Sequence, residues 1–298
     1  MQSTQQKELQ KLFGSVGGLS DEELEQTIAD SERIMKGPAG MLLAQAGLAE
    51  SNSKPFALLD NACGTGPIVA HLQDNLDKKL LSESKIVCAD FNGIIVDILK
   101  RRAVKYGWVN VEAAVGDAQH SKFASQSFSH VTINFAMHII PEPVDVLQDT
   151  LRILKPGGVF AFSVWHKDNQ GWAPDLRSCF ESLPFEAPMS NPVPMAIHGK
   201  PQWVDPEGVE KELRTHGFED VQVRTVPHVV RIHSAEDFLQ SYKMMIDWMV
   251  NSCWNEESKQ RAKGMLHDHI VKHLKEKHDG QGWDLHWTVI LATCQKPS

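Results

Sequence analysis

Asp60, Asp90 and Asp117 each end a short apolar run, PFALLD, KIVCAD and VEAAVGD, and a fourth run, FSHVTINF, closes on Asn134-Phe135. In an open α/β sheet, ligands bind outside the carboxyl ends of the strands, so these residues would share one rim. Between the first run and the next helix lies the tight turn Ala62-Cys63-Gly64-Thr65-Gly66. A turn of this kind brings backbone close to a ligand, and the amides of the helix behind it favour an anionic group. Cys63 reads as a small half-buried turn residue rather than a nucleophile, because no histidine or basic partner is apparent.

Two histidines follow later runs, His138 in INFAMHII and His166 in SVWHKD. Each is a candidate general base, since imidazole accepts a proton near neutrality, and each could equally be a loop histidine bonded to backbone. Trp165 and Trp172 beside them could form an aromatic wall. Phe238, Tyr242, Met245 and Met249 recur at helical spacing with Trp248 adjacent, a stripe that suits a core face or the underside of a lid. His267, His269, His273 and His278 lie in HDHIVKHLKEKH and are read as a solvated helix face rather than a metal site. No metal is expected.

The elements that must position these residues form a regular series. Apolar runs alternate with helical segments such as PIVAHLQDNL, GIIVDILKRRAV and PVDVLQDTLRIL, which predicts a parallel sheet covered on both faces. Lys155-Pro156-Gly157-Gly158 introduces the fifth run, GVFAFSVW. Ser20 opens a capping box, S-x-x-E, for a helix to about Ile34, and a second helix is expected over Met41 to Leu48. Residues 167–204 read as a long loop and Asp205 to Gly217 as a helix. FEDVQVRTVPHVVRI reads as a strand interrupted by Pro227. Ser234 caps a helix to about Val250, a further helix covers roughly Glu256 to His278, and HWTVILATC closes the sheet. The expected division is an N-terminal helical cap (1–54), an α/β core (55–233 and 279–298) and a helical insertion (234–278) before the last strand.

Bulk composition narrows the function. The chain has 298 residues with 42% hydrophobic side chains and 23% charged, enough for a sizeable core and too apolar for disorder. A net charge of -8 weighs against duplex nucleic acid or an anionic membrane as the main partner. The five cysteines have no CxxC spacing, and no secretory signal or membrane span is visible, so a cytoplasmic protein is expected. Nothing in the sequence signals an oligomeric state.

The glycine turn alone suits either of two cofactor classes. Asp90 sits where a nicotinamide-dependent oxidoreductase would place its ribose acid, but the turn lacks GxGxxG, because position 69 is Val and the first glycine slot is Ala62. The whole set resembles class I S-adenosylmethionine-dependent methyltransferases: LLDNACGTG their first motif, VCADFNGIIVDIL their second, VGDAQ the adenine-contacting segment, and LRILKPGGVFAFSVW the fifth-strand segment. YGWVNVEA and EDFLQSYKMMI resemble fungal secondary-metabolite enzymes of the gliotoxin thiomethyltransferase type.

That resemblance implies a Rossmann-like, seven-stranded, mostly parallel sheet with a helical lid, binding S-adenosylmethionine and releasing S-adenosylhomocysteine. It implies that Asp60 and the backbone of Ala62, Gly64 and Gly66 hold the amino-acid end. Asp90 would accept from the ribose hydroxyls and Phe91 flank the adenine. Asp117 would take the adenine amino group, Ala118 a ring nitrogen, and Asn134 the cofactor's amino group. Ala62 departs from the family glycine, which a negative φ would accommodate.

The expected acceptor is a small, largely apolar natural product, with Trp165, Trp172, Phe238, Tyr242 and Met245 as candidate lining. The absence of DPPY, replaced by NFAM, argues against a nucleic-acid substrate. O-methylation assisted by His138 or His166 is the favoured reaction. N- or S-methylation by proximity, or a methyltransferase-fold regulatory or binding protein, are the alternatives.

Overall fold

The computed structural model describes residues 21–49 and 52–298, so the Ser20 capping box lies outside the described residues. Seven strands form one sheet: β1 (Ala57–Asn61), β2 (Lys85–Asp90), β3 (Val111–Val115), β4 (Phe128–Asn134), β5 (Leu154–Trp165), β6 (Glu219–Ile232) and β7 (Trp283–Gln295). Their order is β3-β2-β1-β4-β5-β7-β6. β1 to β5 run parallel, while β7 pairs antiparallel with both β5 and β6. The chain reverses direction across the sheet between β1 and β4, the position at which open α/β folds gather ligands.

Ten helices accompany the strands among the described residues: α1 (Asp21–Gln45), α2 (Pro67–Asn75), α3 (Lys78–Glu83), α4 (Gly93–Lys105), α5 (Pro143–Ile153), α6 (Ala173–Glu181), α7 (Pro206–Thr215), α8 (Ala235–Cys253), α9 (Glu256–Ala262) and α10 (Leu266–Lys277). The continuous apolar strands are explained by burial on both faces. Leu58 packs with α1, α2 and α4 on one side, while Leu59, one residue on, joins α5 and α7 on the other. Full burial of each such leucine contributes about 1.5–3 kcal/mol. A third cluster holds α6, α8 and α10 together around Phe180, Phe238, Trp254 and Leu274.

Four expectations change. The helix over residues 21–34 and that over 41–48 are one helix, α1, with Pro38 inside it. Proline at 38 cannot donate to the Ile34 carbonyl four residues back, and the His228 ring nitrogen, 2.8 Å away, takes that carbonyl instead. The segment 167–204 is not structureless: it contains α6 and a 3-10 turn, Pro201–Val204. Pro227 does not interrupt β6, which runs through it in register with Thr288 of β7, because β6 is the sheet edge, where a missing N–H is tolerated. The expected helix 256–278 is two, α9 and α10, separated at Gly264 with φ +80°.

The histidine face of α10 is likewise not simply solvated. His269 approaches Ser182 and the Cys179 carbonyl, His273 reaches Ser178, and His278 contacts Asp175, so this face docks α10 onto α6. No metal-ligating group of three or more side chains occurs among the described residues.

Candidate functional site

β1 and β4 lie side by side, and Asp60 is paired across them with Thr132. Asp60 is fully buried; its Oδ1 accepts the Thr132 hydroxyl at 2.9 Å, and its Oδ2 has no partner. Burial pushes this carboxyl up to about 7, against the pull of the Thr132 hydrogen bond and helped by the nearby charge of Asp90. The next residue, Asn61, is buried with neither side-chain oxygen nor nitrogen partnered. At the end of β4, Asn134 Oδ1 accepts the Ser163 hydroxyl at 2.7 Å while its Nδ2 is buried and unpartnered. Native interiors rarely strand this many polar atoms, and their concentration at the two central strand ends marks a place built for a polar ligand.

The turn after β1 is held open by backbone conformation. Ala62, Gly64 and Gly66 have φ of +53°, +53° and +91°. Ala62 therefore does not keep the negative φ expected of it; it occupies the left-handed region at a cost of roughly 1–2 kcal/mol. Phe135, at the end of β4, is also left-handed, with φ +55°. Strain at the ends of both central strands is the pattern of a site whose geometry outranks local comfort. A methyl group at Gly64 would meet no atom within 4 Å, so the turn faces open space there.

Asp90 ends β2 with one oxygen on the Gly64 amide at 3.1 Å and the other on the Asn92 amide at 3.0 Å. It thus fixes both the glycine turn and the start of α4. Burial raises its pKa, opposed by those two bonds. Phe91 beside it is 65% exposed, as is Val115 at the end of β3, leaving an apolar shelf on the rim. Asp117 stands exposed beyond that shelf, clasped by the backbone and side-chain amides of Gln119 at 2.9–3.2 Å. Ala118 behind it is buried. Cys63 is buried, and its thiol is raised well above the usual range by its contact with Cys88 and by burial, so it is not a nucleophile.

The two histidines separate. His138 is buried with Nδ1 unpartnered, and burial, with His198 nearby, pushes it down to about 3, so it is neutral at physiological pH. His198 lies in the segment that folds over it, where the Ile197 amide donates to the His138 carbonyl at 2.9 Å. His166 instead uses Nδ1 to accept the Asp168 amide at 3.2 Å and donates its own amide to the Thr288 carbonyl. It is a loop histidine bonded to backbone.

The aromatic side chains form a continuous wall. Phe135 stacks on Trp165 with centroids 4.0 Å apart, and Trp165 lies 4.5 Å from Trp287 on β7. Trp172 and Phe238 flank Tyr242 at 6.4 and 5.1 Å. The Tyr242 hydroxyl and Trp287 Nε1 are both buried; the indole N–H lies close enough to oppose the push of burial on the phenol, but neither makes a well-formed hydrogen bond. Phe238 and Trp172 are fully committed to the cluster that joins α6, α8 and α10, with Met245 partly buried against it. Sequence alone missed Thr132, Ser163 and Trp287, which carry no local motif; the orphaned Asn61 lies within LLDNACGTG, just before the turn.

Comparison with known proteins agrees with this geometry. The model of the ubiE/COQ5 methyltransferase family matches residues 45–170, the stretch from the end of α1 through β5. Methyltransferase tpcH of Aspergillus fumigatus is 28% identical over 87% of this chain and 91% of its own. Acetylaranotin bis-thiomethyltransferase of Aspergillus terreus is 27% identical over 89% and 91%. Among solved structures, phosphoethanolamine N-methyltransferase 2 of Haemonchus contortus, in complex with S-adenosyl-L-methionine, superposes with a TM-score of 0.51 at 16% identity, covering 88% of this chain and 53% of that one. At that identity the likeness speaks for the fold, while the relatives with nearly full overlap speak for the chemistry. With its acid-tipped strands, strained glycine turn and these relatives, the chain is an S-adenosylmethionine-dependent methyltransferase, similar to the ubiE/COQ5 family over residues 45–170 and to the fungal enzymes over most of its length.

Proposed function

We propose that this enzyme methylates an oxygen of a small, largely apolar natural product, with His138 taking the acceptor's proton. The observation that carries this is His138 Nδ1, buried, neutral and without a partner beside the strand ends. The cofactor supplies an electrophilic methyl group on a positively charged sulfur. As that charge disappears, a proton leaving the acceptor hydroxyl can settle on His138, so the site carries one positive charge before and after. This offsets the low basicity of a buried imidazole.

The chain's polar residues fit that cofactor. Asp60 Oδ2 and the orphaned amides of Asn61 and Asn134 match an ammonium and a carboxylate. Asp90 retains lone pairs for ribose hydroxyls, and the Phe91–Val115 shelf would cover a flat base whose amino group meets Asp117 and whose ring nitrogen meets the Ala118 amide. The backbone of Ala62, Gly64 and Gly66 would line the amino-acid end by its shape, since the Gly64 amide is held by Asp90 and the Gly66 amide by the Cys63 carbonyl. Trp165, Trp172, Phe238, Tyr242 and Met245, joined by Trp287, line the acceptor side, with the hydrophobic wall excluding water. In this arrangement the described residues of the N-terminal segment (21–49 and 52–54) and residues 234–278 serve as cap and lid over a core of 55–233 and 279–298. No helix of the described residues is long and apolar enough to cross a membrane. Its five free cysteines fit a reducing cytoplasm.

A sulfur acceptor is the second reading, favoured by the weak basicity of His138 and by the thiomethyltransferase relative. A thiolate needs alignment more than a base. The two separate on methyl-labelled S-adenosylmethionine and a panel of apolar phenols and aryl thiols. His138→Gln should slow phenol methylation by about 100-fold and leave thiol methylation near wild type. If neither changes, the base role fails.

A further inference from the structure

One turn of α1 holds two sets of contacts that point in different directions. Asp30 and Arg33, three residues apart and hence on one face, engage the lid. Arg33 Nη1 donates to Asp237 Oδ2 at 2.7 Å and to the Arg231 carbonyl at 3.2 Å, and Nη2 reaches Ser241, whose hydroxyl donates to Asp30 at 3.0 Å. The two residues between them face the glycine turn. Ser31 Oγ lies 3.0 Å from Thr65 Oγ1, and Glu32 pairs with Arg102. Arg102 is 4% exposed, donates to the carbonyl of Thr65 between the two turn glycines, and is flanked by Tyr106 at 5.6 Å and Trp108 at 5.1 Å.

We propose that Asp30–Arg33 is a strap that couples cofactor binding to closure of the acceptor lid, with Arg102 and Arg33 as positioning residues on its two sides. The juxtaposition is specific: four consecutive residues alternate lid, turn, turn, lid. Arg102 is a buried cation whose two partners are the turn backbone and the strap, so moving the strap disturbs the turn directly. Breaking a buried pair from one side leaves an uncompensated charge, which makes the connection stiff rather than incidental. On the other side, the Arg33 charge is felt by the buried Tyr242 hydroxyl, a candidate acceptor contact, and opposes the upward push of burial on that phenol. Coupling between two sites is reciprocal, so whatever loosens the lid end must weaken cofactor binding, and cofactor must quieten the lid.

The inference rests on α8 serving as the acceptor lid, but its test does not need the acceptor. Arg33→Gln touches no residue assigned to the cofactor. S-Adenosylhomocysteine binding by calorimetry should weaken by about fivefold or more in this variant, and Arg33→Lys should recover most of that loss. In wild type, S-adenosylhomocysteine should slow amide hydrogen exchange across 235–253, and in Arg33→Gln that slowing should vanish. Ser241→Ala, which removes one hydroxyl from the lid end, should move both readouts the same way by a smaller step and serves if Arg33→Gln does not fold. Affinities within twofold of wild type in the variants that fold, with exchange in 235–253 indifferent to ligand, would overturn the strap. The phenol and thiol assay would be untouched by that result, and absence of binding in wild type would instead strike the cofactor site itself.

Discussion

Thr132 donates its hydroxyl to Asp60 Oδ1 at 2.9 Å, leaving Oδ2 the one oxygen of a fully buried carboxyl with nothing to bind. Desolvation holds that carboxyl at about 7, so the free enzyme stores an unfavourable group exactly where a ligand ammonium would relieve it. Ligand affinity should therefore rise as pH climbs from 6 to 8, with proton release on binding. Asp60→Asn should abolish that pH dependence, which calorimetry in buffers of different ionisation heat will measure.

Gly64→Ala is expected to separate folding from binding. At φ +53° with nothing within 4 Å of the added methyl, the cost in the free protein is backbone strain alone, about 1–2 kcal/mol. The same methyl projects into the space left beside the turn. Urea unfolding should show the modest loss and calorimetry a large loss of S-adenosylhomocysteine affinity; equal affinities would place the ligand elsewhere.

Acid should destabilise the fold through its buried histidines. His130, His138 and His198 are held at about 4, about 3 and about 4 by burial. In each the folded protein binds fewer protons than the unfolded chain, so their contribution is complete above about 6.5 and is lost as pH falls toward those values. Asp60 has the opposite sign: its raised pKa favours the folded state at low pH, and that contribution disappears as pH rises through about 7. Asp90, whose pKa burial also raises, acts in the same sense as Asp60, while His228 and His273, lowered by burial, join the other histidines, so the histidines prevail. The urea midpoint should fall between pH 7 and 5, and less steeply in His198→Gln; a flat profile would contradict the assignment.

Asp175 should prove a structural anchor of the lid. It is buried and accepts from Trp283 Nε1 at 2.8 Å, with His278 and Lys277 at 3.0 and 2.9 Å. Asp175→Ala strands the Trp283 indole N–H and removes a partner from His278 and from Lys277, which keeps Ser178, and urea denaturation should report a loss of about 2–4 kcal/mol. A loss below about 0.5 kcal/mol would match an exposed ion pair instead.

Much of this architecture was legible because strand ends in a parallel sheet carry both burial and chemistry. The runs ending at Asp60, Asp90 and Asn134 sit where their patterns predict, and the class of enzyme follows from them. What escaped depended on distant partners. The break expected between Ile34 and Met41 does not occur, because His228, far along the chain, donates to the Ile34 carbonyl that Pro38 cannot reach. Ala62 looks like a relaxed substitution until the turn forces it to φ +53°. Thr132, Ser163, Trp287 and Arg102 matter only through neighbours that the fold brings to them, and His138 and His166 become distinguishable only when each ring's partners are known.

If Asp60 holds the amino-acid end of the cofactor, a comparison of two ligands on two proteins by calorimetry shows it. Wild type and Asp60→Asn are each titrated with S-adenosylhomocysteine and with 5′-methylthioadenosine, which lacks the amino-acid portion. The substitution should weaken S-adenosylhomocysteine by about 10- to 100-fold, the worth of a hydrogen bond to a charged group, and change 5′-methylthioadenosine by less than about twofold. An equal loss for both ligands, or no effect on either, would contradict it.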